Sequence, residues 1–199
     1  MADQSQVYVG VAGYFGKPDH PGKVGVFRRA ASGGDWQHVL GTVEAYTVFV
    51  HPADPETVFA GTNDGVWRST DRGATFRRTG FPDAKTQVWC FMVDSRDPKR
   101  IFAGASPIDV YRSDDGGTSW VKVEVGLPSA VVGAARTQRG ATILADAGGR
   151  VVASADGGRT FTSVPLKQPM PLTGVAEAGD GRLALVGPRG VAVTETVAP

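Results

Sequence analysis

The chain has 199 residues, with 21 basic and 20 acidic side chains and a formal charge of +1. That balance excludes binding to nucleic acid by neutralisation of phosphates, which requires a surplus of Lys and Arg. Hydrophobic residues make up 41% of the chain, enough for a packed core, while the longest apolar runs are of strand length and exclude a membrane-spanning helix. The lone cysteine, Cys90, cannot staple the fold, and its place in an apolar inner-strand run predicts an inert buried thiol. The opening residues carry no basic and apolar leader pattern, so a cytoplasmic location is expected.

In chain order, the first unit (about 7–41) opens with the strand Val7-Tyr8-Val9-Gly10 and closes at Trp36. Between them lies a long loop, Gly13 to Lys23, with no counterpart in the later units. The second unit (about 46–80) is predicted to hold strands at 46–51, 57–61, 65–70 and 75–79. The third (about 87–126) has predicted strands at 87–94, 100–104, 109–113 and 119–125. The fourth (about 130–166) has them at 130–137, 141–146, 150–154 and 160–164. The last unit (about 172–196) shows three strands, near 172–177, 182–187 and 190–195.

Three of these units share an octapeptide, Ser-x-Asp-x-Gly-x-[Ser/Thr]-aromatic. The copies run from Ser69 through Asp71 and Gly73 to Phe76, from Ser113 through Asp115 and Gly117 to Trp120, and from Ser154 through Asp156 and Gly158 to Phe161. Their period of about forty residues is that of one four-stranded propeller blade. The Ser and Asp side chains can bond backbone N–H groups in the turn between third and fourth strands. The Gly permits positive φ, and the aromatic can fold under the turn and bury a large area. Asp114-Asp115 lacks the alternating oxygen ligands of a calcium loop, so neither metal nor cofactor is expected.

The octapeptide resembles the Asp-box, or bacterial neuraminidase repeat, of sialidases and their relatives. Residues 7–126 resemble sialidase-like "glycosyl hydrolase" repeat proteins of bacteria, and residues 130–199 resemble photosystem II assembly-factor-like repeat proteins. The resemblance implies a β-propeller, and the five repeat units, three or four strands each, make it one all-β domain over residues 1–199 of about five small blades with incomplete terminal blades. A four-bladed ring and an open arc that pairs with a second copy are the alternatives.

In enzymes of this architecture the face opposite the boxes carries the chemistry. Candidates for binding on that face are Tyr14, Phe15, Lys17 and His20 of the long first loop, with Tyr46, Asp64, Trp89 and Asp109. Tyr46 and Trp89 start inner strands and are weighed as channel-mouth residues against core aromatics. Among inner-strand residues Asp94, Arg136 and Glu177 are the polar groups available for chemistry. The early arginine motif of sialidases is absent, and no Tyr–Glu nucleophile pair stands out, although Glu44 lies close to Tyr46. The expectation is therefore a non-enzymatic scaffold presenting loops to a protein or a glycan, with no nucleic acid or membrane partner and a homodimer if the arc is open. The alternatives are a sialidase-like glycoside hydrolase, an assembly-factor-like chaperone, and a shortened or recombined propeller.

Overall fold

A computed structural model describes residues 5–13, 22–83, 85–106, 108–167 and 170–194; these residues form strands and turns and contain no helix. The first sheet runs β1 (Gln6–Val11), β2 (Gly25–Ala30), β3 (Gln37–Leu40). The second runs β4 (Ala45–Val50), β5 (Val58–Thr62), β6 (Gly65–Ser69), β7 (Arg77–Arg78). The third runs β8 (Gln87–Asp94), β9 (Asp97–Ser106), β10 (Asp109–Ser113), β11 (Val121–Val123). The fourth runs β12 (Val131–Arg136), β13 (Thr142–Asp146), β14 (Val151–Ser154), β15 (Thr162–Val164), and the fifth β16 (Gly174–Glu177), β17 (Leu183–Gly187), β18 (Gly190–Val193). Strands adjacent in sequence are adjacent in space, so each sheet is a meander, the unit from which propellers are built.

The fourth strands begin later than the repeat pattern predicts, at Arg77, Val121 and Thr162 rather than 75, 119 and 160. The octapeptide turns explain the delay. The N–H groups of Thr75, Ser119 and Thr160 donate to the carboxylates of Asp71, Asp115 and Asp156 at 2.9, 2.9 and 3.0 Å, and so are withdrawn from the ladder. The Ser hydroxyl of each turn donates to the same carboxylate, at 2.6, 2.8 and 2.7 Å. It also accepts the N–H of Gly73, Gly117 or Gly158 at 2.8, 2.9 and 2.8 Å. Ser69, Ser113 and Ser154 are buried, so these bonds satisfy backbone donors that water does not reach.

The sheets are locked to their neighbours through the same turns. The ring of Tyr8 on β1 lies against Gly73, where a Cβ would come within 2.7 Å of Cε1, and Phe59 on β5 lies against Gly117 in the same way. Glycine is required at both places, because φ is positive (68° and 80°) and an aromatic ring occupies the space of a side chain. Arg72, by contrast, is a non-glycine residue at φ 55°, where the other two turns have Gly116 and Gly157. Its carbonyl is held by two donors from the preceding sheet, Tyr8 Oη at 2.8 Å and Arg28 Nη1 at 2.9 Å.

The box aromatics are not equivalent, contrary to the expectation of one buried ring per turn. Trp120 is buried beside Phe81 and Phe91. Phe76 is partly buried against Val26, Leu40, Ala45 and Ala60. Phe161 is partly buried and packs outside the cluster of Ile143, Ala145, Val151, Leu172, Leu183 and Leu185.

The described residues fall into two compact units: those up to Ser106 together with Tyr111–Val121, and those up to Val110 between them together with the chain from Lys122 onward. The first has an aromatic core of Phe59, Phe81, Tyr111 and Trp120 with Val66, Val88 and Ile101, and the second an aliphatic one. The difference follows from composition, since Phe161 is the single aromatic residue after Trp120.

Candidate functional site

In an antiparallel pair a bulge inserts an extra residue that is excluded from the ladder and re-aims its side chain. The β4–β5 register shifts between Ala45 and Thr47, placing the extra residue at Tyr46. The β8–β9 register shifts between Val88 and Cys90, placing it at Trp89. The β12–β13 register shifts between Val131 and Gly133, so Val132 holds the same position in the other unit. The device recurs at the start of the first strand in all three four-stranded sheets.

In the first unit the two bulge residues meet. Tyr46 and Trp89 stack with ring centroids 4.2 Å apart and an interplanar angle of 21°. Trp89 is 50% exposed, and Tyr46 is partly buried, so the pair presents a flat aromatic surface to solvent. The reading of these residues as core aromatics is corrected: the bulges turn them out of the core that Val88 enters.

Polar groups fix the pair. Tyr46 Oη donates to Glu44 Oε2 at 3.0 Å. Burial, then the bond to and charge of Glu44, push the Tyr46 phenol above its ordinary pKa, so it stays a donor at neutral pH. The N–H of Glu44 donates to Asn63 Oδ1 at 3.1 Å, and the N–H of Asn63 donates to the Glu44 carbonyl at 3.1 Å. Glu44 and Asn63 were not among the predicted site residues. Asn63, the sole asparagine of the chain, stands in the turn between second and third strands, a signal that could have drawn attention to it.

Asp64 lies next to Asn63, but its carboxylate is engaged by Arg78, from Nε at 3.0 Å and Nη2 at 3.3 Å. It anchors the end of the second sheet. Asp109 belongs to the second unit and pairs with Lys122 Nζ at 2.8 Å. Tyr14, Phe15, Lys17 and His20 lie outside the described residues. Asp94, read as an inner-strand group available for chemistry, is buried and holds its own hairpin by pairing with Arg100 Nη1 at 3.1 Å and accepting the N–H of Arg96 at 2.9 Å. Glu177 accepts the N–H of Gln138 at 2.7 Å. Cys90 corrects the expectation of a buried position: the residue is exposed, directly after the bulge at Trp89 and opposite Gly104 in the ladder, although its thiol is partly desolvated. Among the described residues no group of three or more His, Cys, Asp or Glu is placed to hold a metal ion.

Sheets of this kind, each a meander whose first strand can carry an outward-turned residue, define a β-propeller architecture. The solved structures that resemble the chain are of that class. The glycoside hydrolase family 74 xyloglucanase from Xanthomonas campestris matches with a TM-score of 0.70 at 20% identity, over 100% of this chain and 37% of that one. YCF48 in complex with a D1 peptide matches with a TM-score of 0.62 at 12% identity, over 97% of this chain and 60% of that one. No family model matches the sequence. A xyloglucanase from a Paenibacillus species is 31% identical over 206 aligned residues, covering 95% of this chain. The chain spans 18% of the length of that enzyme. This similarity overturns the expectation of a non-enzymatic scaffold, because a relative alignable along nearly the whole chain is a hydrolase.

Proposed function

We propose that this chain is a glycoside hydrolase segment acting on a xyloglucan-type polysaccharide, in which Tyr46 and Trp89 receive the sugar. One observation carries the reading: two aromatic rings, stacked on each other, stand on consecutive bulges with one of them half exposed. The apolar faces of a pyranose pack on such a surface, while its hydroxyls look for polar neighbours. Glu44 and Asn63 supply them, and the Glu44 bond holds the Tyr46 ring in place. Hydrolysis in most such enzymes needs two carboxyl groups flanking the scissile bond. Glu44 is the carboxylate joined to the aromatic pair; with Asp64 tied to Arg78, the stack and Glu44 serve to bind and orient the chain of sugars. The three braced turns support the further reading that the repeats are Asp-boxes, as in other propeller hydrolases.

The test is migration of the protein through gels containing xyloglucan, together with release of reducing ends from the polysaccharide. Trp89→Ala is expected to weaken retardation and raise KM about tenfold, the equivalent of about 1.4 kcal/mol. Unretarded wild-type protein that releases no reducing ends would sink the proposal. Retardation unaltered in Trp89→Ala would remove the aromatic pair from it.

A further inference from the structure

The repeated rows that cross the first two sheets offer an internal comparison. In the first sheet the row is Tyr8, Arg28, Gln37, each directly opposite the next. In the second it is Phe59, Arg68, Arg77. Arg28 has partners on two sides: Nη1 donates to the carbonyl of Arg72, and Nε donates to Gln37 Oε1 at 3.1 Å. In the second row the residue that should offer the acceptor is a second arginine.

Two consequences are visible. The Nε of Arg68 is buried and has no hydrogen-bond partner among the described residues. The side chain of Arg77, exposed and directly opposite, has neither a hydrogen bond nor an ion pair among the described residues, while its neighbour Arg78 is paired with Asp64. Like charges facing each other across a strand pair are destabilising, and a buried guanidinium N–H without an acceptor costs more. A group with two or more anionic oxygens removes both faults, because one oxygen takes the place of Gln37 Oε1 toward Arg68 and another meets Arg77.

We infer that Arg68 and Arg77 form a binding site for an oxyanion, a sulfate, phosphate or carboxylate, on the outer half of the second sheet. It lies on elements distinct from the aromatic stack and stands whether or not the chain acts on polysaccharide.

Arg77→Gln tests it, since that variant rebuilds in the second row the Arg–Gln pair that the first row already has. Thermal unfolding is measured in phosphate, sulfate and glucuronate against chloride at matched ionic strength, and the Nε–H resonance of Arg68, assigned with Arg68→Lys, is followed by NMR in the same titrations. For the wild type a saturable shift of that resonance is expected, and a rise in Tm of about 3–6 °C at ten times Kd. Arg77→Gln is expected to be more stable than the wild type in chloride and to lose the saturable shift. General salting-out by sulfate and phosphate acts on wild type and variant alike, so equal Tm increments in the two, without a saturable resonance shift, overturn the site. A response to phosphate and sulfate but not glucuronate assigns a tetrahedral anion; a response to glucuronate alone assigns a carboxylate.

Discussion

Phe59 covers Gly117, so that a Cβ added to the glycine runs into Cε1 of the ring. One residue earlier, Gly116 has nearly the same backbone angle, φ 70° against 80°, and a methyl added there would meet no atom within 4 Å. The pair separates backbone strain from packing. Gly116→Ala is expected to cost about 1 kcal/mol, the left-handed penalty alone. Gly117→Ala adds displacement of a fully buried phenylalanine and is expected to cost about 3 kcal/mol or more. Urea denaturation of both variants checks the difference.

The box carboxylates make stability depend on acid. For Asp71, burial works to raise the pKa, and the bonds from Ser69, Thr75 and Ala74 outweigh it, leaving a value of about 2. For Asp115, burial likewise works upward and the bonds from Ser119, Ser113 and Thr118 bring it to about 2. For Asp156 the Thr160 hydroxyl is the largest influence, and the pKa is lowered. Folded-state pKa values below the ordinary 3.8 stabilise the fold above pH 4, and that contribution is lost as pH falls toward 2. The urea midpoint should therefore be flat near pH 5 and drop steeply between 4 and about 2. Asp115→Asn should lower the plateau and flatten the drop.

Cys90 is exposed, yet burial of its thiol pushes the pKa up, against a lowering by the N–H of Gly104. Since the thiolate is the nucleophile, alkylation at pH 7 should be slower than for a free cysteine and should accelerate through alkaline pH. Iodoacetamide labelling followed by mass spectrometry over pH 7–10 measures it. A rate at pH 7 above that of free cysteine would contradict this account.

Trp89 and Phe59 should divide function from stability. With half of its surface in water, Trp89 on replacement by alanine is expected to cost the fold about 1 kcal/mol or less. Phe59 is fully buried, and Phe59→Ala is expected to cost about 3–5 kcal/mol. Denaturation midpoints read alongside xyloglucan retardation should show the first variant folded and weak in binding, and the second impaired in both.

The turns and strands were legible because their chemistry is local. Ser69, Asp71 and Gly73 act on one another within a few positions, so spacing alone announces the hydrogen bonds. Tyr46 and Trp89 were legible as candidates but not as a surface. Whether an aromatic at the head of a strand faces the core or water is decided by a one-residue shift in pairing with the next strand, which leaves no mark in composition. Asp64 and Asp94 looked available because their partners, Arg78 and Arg100, arrive from other strands. The hydrolase reading was legible only as an alternative, because the octapeptide is a structural brace shared by propellers of many activities and marks no catalytic residue.

Because a bulge residue stands outside the ladder, its identity is set free from the hydrogen bonds that hold the sheet. The position that is tyrosine in one repeat and tryptophan in the next is valine at Val132. Each of these three sheets thus offers one replaceable tooth on an otherwise unaltered comb, where a side chain can change without renegotiating the fold.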